Sequence, residues 1–491
     1  MTTFLIGIAM LVIGGAFYGK FCENVFGPDV RPTPAITKAD GVDFVGMKKW
    51  KNSLIQLLNI AGTGPILGPI QGILFGPIAF ITIPIGCVLA GAMHDYFSGM
   101  ISIRNGGAQM PKLIQEYLGL KVHKVYNVLV WVLMILVGAV FVYTPGDLIV
   151  TEIMGQKALF NNPTTWMVYA GIFAYYLVAT LFPLDAIIGR VYPIFGAILI
   201  FSAVGIFVGI LMNGGEELTN LTFATSVFGQ HPSKLPFIPI FFITVACGIM
   251  SGFHSTQATL IGRAVTNEKE GRTTFFNMML VEGFIAMVWA AGAMIVFAKS
   301  TDTSTSATLI IGIVSRDFLG NIGAVFAILG VIVLPITSGD TAFRSLRLMI
   351  AEQFKIDQSN YIKRLAVTTG IFIPAIIILF YAKSSPAGFT VLWRYFAFTN
   401  QTIAVFALAM ISVYLYLHKK NYFISLIPGL FYCFVVLSYI FHAPIGLGLE
   451  QRLGFDPNSY MISYSLSAVC ALLYAWATVK TASGKLLALK R

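Results

Sequence analysis

Residues 59 to 69 read Asn-Ile-Ala-Gly-Thr-Gly-Pro-Ile-Leu-Gly-Pro, an apolar stretch with three glycines and two prolines where a membrane helix should run uninterrupted. Proline removes the bond to the carbonyl four residues back, and glycine lowers helix propensity. Amides and carbonyls freed in this way at bilayer depth persist only where they line a cavity or bind something. The stretch is therefore expected to be a broken helix at a binding site.

The bilayer itself follows from composition. Of 491 residues, 57% are hydrophobic and only 11% charged, whereas soluble domains carry about 25% charge. The net charge of +11 does not point to nucleic acid, because the basic residues sit in short clusters between apolar runs instead of on one water-facing surface. Cys22, Cys87, Cys247, Cys433 and Cys470 are odd in number and widely spaced, which gives neither a disulfide framework nor a metal-ligand pattern. They are expected to be packing residues. The first apolar run, Phe4 to Phe21, lacks a basic leader and a small-residue cleavage pattern, so a spanning helix is expected there and not a signal peptide.

With roughly 20 apolar residues needed per span, thirteen candidates emerge: 3–21, 53–75, 77–102, 125–143, 164–184, 189–212, 236–258, 274–298, 321–340, 365–382, 390–417, 422–441 and 459–479. The polar stretch Thr301 to Gly320 is expected to be an external loop with a short helix. Placing the amino terminus outside puts all but seven of the 32 basic residues on the inner side. The exceptions are Lys157, Lys234, Lys299, Arg316, Lys383, Arg394 and Arg452. This satisfies the positive-inside rule and leaves the carboxyl terminus in the cytoplasm.

Numbered from the broken span, the sixth segment is interrupted as well, at Gly248-Ile-Met-Ser-Gly-Phe-His-Ser-Thr-Gln257. Segments one and six enter from opposite sides, as two inverted five-helix repeats require, and paired broken helices in corresponding positions point to a midplane transport site. The expected fold is an all-α polytopic membrane protein with an inverted five-plus-five core like that of the leucine transporter. Its parts are an amino-terminal helix and loop (1–52), two repeats (53–212 and 236–417) and two carboxyl-terminal helices with a tail (422–491). Close helix packing is the alternative explanation of the glycines.

A half-helix amino terminus at each break favours an anionic group, a carboxylate above all. Thr63, Gly64, Gly68, Ser251, Gly252, His254, Ser255, Thr256 and Gln257 are the candidate site wall. His254 is either a proton carrier or a hydrogen-bonded packing residue. Ionisable groups within spans cost about 2.5–3.5 kcal/mol each and are functional candidates by default. His94 and Asp95 form a proton relay or a cap paired with Arg104; Glu282, two turns inside its span, is the stronger candidate. Asp185 and Arg190 read as a structural or gating ion pair, while Asp147 and Glu152 fall in an outer connection where solvation suffices. Thr337, Ser338 and Asp340 suit Na⁺ or a proton, unless Asp340 simply pairs with Arg344. Arg394, near Asn400 and Gln401, attracts an anionic substrate or snorkels to the interface.

Ala61-Gly-Thr-Gly-Pro-Ile-Leu-Gly-Pro69, Gly91-Ala-Met-His-Asp95, Ile188-Gly-Arg-Val-Tyr-Pro193, Ser251 to Gln257, Glu282-Gly283, Leu334 to Arg347, and Trp393-Arg-Tyr-Phe396 with Asn400-Gln401 together resemble the carbon starvation protein A (CstA) family. Thr63 stands where that family usually has alanine, and the chain is shorter than the familiar enterobacterial members. The family is similar to the amino acid, polyamine and organocation transporters, which implies the same inverted-repeat core and ion-driven uptake of pyruvate or peptides. The expectation is a secondary active transporter, not an enzyme, in a bacterial cytoplasmic (inner) membrane. It needs no cofactor, couples to H⁺ with Na⁺ as the rival, and has the lipid bilayer and a small carboxylate or peptide as partners. An anion channel is the reading from a different class. The sequence leaves the oligomeric state open.

Overall fold

The computed structural model describes residues 1–41, 43–181, 184–223, 231–300, 307–385 and 387–489, with backbone alone at 180–181 and 184–193. Its main helices are α1 (Thr2–Phe26), α2 (Lys49–Ile60), α3 (Gly64–Gly72), α4 (Ala79–Arg104), α5 (Met110–Leu118), α6 (Leu120–Ile153), α7 (Pro163–Leu181) and α8 (Leu184–Asn213). They continue with α9 (Phe237–Val245), α10 (Gly252–Ile261), α11 (Asn277–Ser300), α12 (Ala307–Phe354), α13 (Tyr361–Ser384), α14 (Gly388–Leu417), α15 (Phe423–His442) and α16 (Met461–Leu489). Among the described residues no strand forms; Met47 and Val265 make one isolated parallel bridge.

Among the described residues, eleven helices are long and apolar enough to cross a membrane, twelve with the bent pair α2 and α3. The remaining expected span, 164–184, falls on α7. Around the loop at 301–320, helix begins at Ala307 and is kinked at Gly320 (φ 65, ψ 179), which separates a short leading helix from the long span behind it. Thr301 itself lies outside the described residues.

Both expected interruptions are present. Ala61 leaves helical geometry (φ −76, ψ 67), Pro65 begins the next helix where a missing amide costs nothing, and α2 and α3 meet at 50°. In the second, Ala246 takes φ 37 and ψ −103, a conformation L-residues rarely adopt, and Ser251 is extended (φ −145, ψ 130) before α10 starts.

The two breaks pack on one another. A Cβ on Gly64 would fall 2.4 Å from Cys247 Cβ, and one on Gly68 only 2.7 Å from Val245 O and 2.8 Å from Thr244 O. Backbone thus meets backbone at the centre of the molecule, with α11 packed along α3 and α12 along α6 and α8.

Residues 27–48 run across the end of the bundle where α2 begins. Lys38 Nζ donates to Gly106 O (2.8 Å), Met47 N to Ala264 O (3.1 Å), and Asn52 Nδ2 to both Met47 O and Ala264 O (3.1 Å each). Buried Glu268 accepts from Arg104 Nε (3.1 Å) and Nη2 (3.0 Å) and from Asp29 N (3.0 Å). Hydrogen bonds from the Arg31 side chain and backbone hold the Asp29 carboxyl down at about 2. The segment is a strap, tied at several points to the chain that follows α4 and α10.

Candidate substrate and ion site

Four ionisable side chains from three helices converge in the buried interior. Asp95, on α4, accepts at Oδ1 from His94 Nδ1 (2.8 Å) and at Oδ2 from His254 Nδ1 (3.1 Å), and the other face of the His254 ring, Nε2, lies 3.6 Å from Glu282 Oε2 on α11. All four are fully buried. A buried carboxylate left unpaired costs several kcal/mol. The cluster sets two imidazoles against two carboxylates, an arrangement that can take up and release a proton. The pairing of Asp95 with Arg104 is not formed, because Arg104 is the last residue of α4, more than two turns along from Asp95, and bonds Glu268.

A second group gathers around the break before α10. Asn400 Oδ1 accepts from Ser251 Oγ (3.0 Å) and Phe253 N (2.8 Å), its Nδ2 lies 3.3 Å from Cys247 Sγ, and Gln401 Nε2 donates to Met250 O (2.8 Å). Two side chains of α14 therefore satisfy the amide and carbonyl that unwinding releases, each such bond worth about 1 kcal/mol net. Gly252 is where α14 comes closest; a Cβ there would meet Asn400 O at 2.4 Å. Thr256 Oγ1 turns back to Phe253 O (2.6 Å) and receives Gln257 Nε2 (3.1 Å), while Ser255 Oγ returns to Gly252 O (2.6 Å).

The third group joins α12 to the first break. Ser338 Oγ donates to Leu58 O (2.9 Å), the last turn of α2, and Thr337 Oγ1 to Leu334 O (2.8 Å). Asp340 is fully buried and neither carboxylate oxygen has a hydrogen-bond partner. Arg344, one turn on, instead donates from Nη2 to Ala179 O (2.7 Å), so the simple rim pair is not what this helix face makes.

Polar atoms without a protein partner cluster on the candidates: Thr63 Oγ1, His94 Nε2, Gln257 Oε1, Gln401 Oε1 and both oxygens of Glu282. Buried polar groups are nearly always paired, and the exceptions ask for an explanation. To these the structure adds residues that the sequence reading missed. Gln56 and Asn59 are fully buried with every side-chain polar atom unpartnered, and with Asn52 they line one face of α2. The spacing 52, 56, 59, 63 is a helical stripe that was available in the sequence.

At the far end of the bundle from the strap, two cavities of about 380 and 390 Å³ share Gln71, Leu74 and Thr390. The first is lined by Leu67, Tyr143 and Asp147, the second by Phe75, His231, Trp393 and Arg394. Arg394 is exposed there, away from the buried cluster. Asp147 corrects the expectation of a solvated connection: it lies within α6, receives Lys383 Nζ at 2.7 and 2.8 Å and Tyr169 OH at 2.5 Å, and Lys383 is itself buried. Glu152 pairs with Arg316 (3.2 Å). Near the second cavity, burial pushes the Glu450 carboxyl up, but hydrogen bonds from Ser463 N, Ser463 Oγ and His442 outweigh it and leave Glu450 below the usual range. The side chains of Asp185 and Arg190 lie outside the described residues. Among the described residues no group of three or more His, Cys, Asp and Glu side chains has the arrangement to hold a metal.

The family described as carbon starvation protein CstA matches residues 1–152, 143–316 and 290–439. An "Uncharacterized membrane protein" of Haemophilus influenzae is 43% identical over 334 residues, 59% of this chain and 89% of that protein. Two Escherichia coli proteins, peptide transporter CstA and pyruvate/proton symporter BtsT, are each 25% identical, over 59% and 54% of this chain. The matched regions are 49% and 45% of those proteins, so the chain spans about half the length of these named relatives. Both are transporters and not enzymes. Among solved structures, MhsT in complex with L-phenylalanine is similar over 88% of this chain and 99% of its own (TM-score 0.59, 11% identity). The Eremococcus coleocola manganese transporter is similar over 92% and 99% (TM-score 0.53, 12% identity). These likenesses establish the leucine-transporter fold, with its inverted repeats and discontinuous helices.

Proposed function

Because the chain belongs to the carbon starvation protein CstA family, we propose that it is a secondary active transporter importing pyruvate or a short peptide across a bacterial cytoplasmic membrane by proton symport. The observation that carries this reading is the buried His94–Asp95–His254–Glu282 cluster at the second broken helix. A proton taken up there lowers the negative charge of the cluster, and the amino-terminal dipole of α10 beside it favours the substrate carboxylate. Proton and carboxylate then enter together at little net electrostatic cost, which is the physical basis of symport. The repeats 53–212 and 236–417 supply one broken helix each, and alternating access rocks the pair between the strap side, taken as cytoplasmic, and the cavity side, taken as external.

The polar stripe of Asn52, Gln56 and Asn59 on α2, with Thr63 at the break that follows, supports a substrate route along this helix. Arg394 at the cavity mouth favours arrival of an anion from outside. A second reading, Na⁺ coupling, draws on Thr337 and Ser338 beside the carbonyls of Leu334 and Leu58, oxygen donors that suit a hard cation.

Purified protein in liposomes, given labelled pyruvate or a labelled dipeptide with an inward proton gradient and no Na⁺, tests both readings. Accumulation of either substrate against its gradient is the expected result. Accumulation only when Na⁺ replaces the proton gradient would transfer coupling to Thr337 and Ser338, and failure with both ions would remove these substrates.

A further inference from the structure

An open groove of about 350 Å³ runs along the outside of the bundle between the start of α6 and α16, floored by α14 and α15. Val122, Val405, Val436 and Ala477 line it, with Ala477 exposed at its rim. Three of its hydroxyls turn back into the protein: Thr402 Oγ1 donates to Phe398 O (2.8 Å), Thr478 Oγ1 to Tyr474 O (2.8 Å) and Tyr474 OH to Val405 O (3.0 Å). What the groove offers is almost wholly hydrocarbon. Its flanks are apolar and bare, with Val125 and Val128 of α6 on one side and Leu472, Leu473 and Trp476 of α16 on the other. In a chain that spans a membrane, such a surface meets lipid tails.

One end of the groove is basic. Leu118 and Val122 line that end, and the Tyr416 and Ser483 hydroxyls, 3.0 Å apart, join the last turn of α14 to α16 beside it. The stretches 118–124, 418–421 and 480–487 carry Lys121, Lys124, Lys419, Lys420, Lys480 and Lys485 and no aspartate or glutamate. Lys480 Nζ stands 4.5 Å from the centre of the Trp476 ring, a cation held at the lipid-facing edge of α16. Basic residues collect at the inner ends of spans in general; their coincidence with a chain-shaped apolar groove is the informative observation.

We propose that this groove seats an acyl chain of an anionic phospholipid of the inner leaflet, whose phosphate the lysines at the basic end hold. Basic clusters of this size next to spanning helices attract anionic headgroups. At about 1.5 Å per residue, Tyr474 to Thr481 gives about 10 Å of groove, roughly two thirds of one leaflet's hydrocarbon. The lipid bears on the rest of the molecule through α14, because Thr402 lines the groove directly after Asn400 and Gln401, the side chains that hold the second break. A seated chain braces that helix. The site rests on the membrane placement of the chain and not on the transport reading.

The test uses the full chain purified in detergent without any gradient, so a failure of uptake in liposomes leaves it unaffected. The thermal unfolding midpoint is read while phosphatidylglycerol or phosphatidylcholine with identical acyl chains is titrated into the micelles. Phosphatidylglycerol is expected to raise the midpoint saturably, half-maximally at a concentration at least about tenfold below that of phosphatidylcholine. Lys121→Gln with Lys420→Gln and Lys485→Gln should bring the two lipids within about twofold of one another. Lys48→Gln with Lys49→Gln and Lys363→Gln, an equal loss of charge at exposed positions away from the groove, should leave the tenfold preference intact. Ala477→Phe, which fills the groove from its rim, should weaken the phosphatidylglycerol response at least about fivefold. Each variant is judged by its response to lipid and not by its own midpoint, so a folding defect does not imitate these results. Equal responses to the two lipids, or equal loss in the two triple variants, would overturn the anionic headgroup site. An unchanged response in Ala477→Phe would overturn the groove as the seat, and a dimer in light scattering that Ala477→Phe dissociates would give the groove to a second copy of the chain.

Discussion

His254 stands between two carboxylates, Asp95 at 3.1 Å and Glu282 at 3.6 Å, in a site from which water-facing surface is absent. Glu282→Gln keeps the shape but removes a proton acceptor and a charge. Gradient-driven accumulation is then expected to collapse to the equilibrium ratio, while counterflow exchange stays within about a factor of three, less than ~1 kcal/mol in binding. Loss of exchange as well, measured in the same liposomes, would give Glu282 a structural role. His94, Asp95, His254 and Glu282 could each be singled out in the sequence, because an ionisable group in an apolar run is conspicuous. Gln56 and Asn59 were not, since amides beside Lys51 at a span's edge look like ordinary interface residues until the fold buries them. Asp147 was misjudged for the same reason: its partner Lys383 lies 236 residues away, and only folding makes the pair.

At the scale of elements, the broken helices are both chemistry and packing. Pro65 and the glycines around it predicted the first break, and Gly248 with Gly252 the second. The glycines also let backbones touch, and the two explanations weighed for them are not exclusive. Gly68→Ala would put a methyl 2.7 Å from a carbonyl that cannot turn aside as a side chain would. It is expected to destabilise by about 1–3 kcal/mol, read as a lowered thermal unfolding midpoint of the purified protein. Gly370→Ala on α13, where nothing lies within 4 Å of the added carbon, should leave the midpoint unchanged or slightly raised. Equal effects at the two positions would remove close approach as the reason for Gly68.

For the whole molecule, the strap of residues 27–48 and the cavities at the other end give the bundle one covered and one accessible mouth. Alternating access requires the covered mouth to open. Met47→Cys with Val265→Cys puts two thiols at a β-bridge position, where Cα separations suit a disulfide. Oxidation is expected to stop net uptake and reduction to restore it; uptake that persists with the bond formed would exclude movement of the strap at this point. The sequence by itself determined the membrane, the helical spans, the two interruptions and most of the buried ionisable residues, because hydropathy, helix breaking and the cost of buried charge are local properties of the chain. Only the tertiary structure decided which of those residues meet: His254 with Asp95 and Glu282, Asn400 with Ser251, and Asp43 with Arg344 and Arg347. Those pairings depend on how helices from separate halves of the sequence cross, a long-range packing outcome that no local pattern encodes.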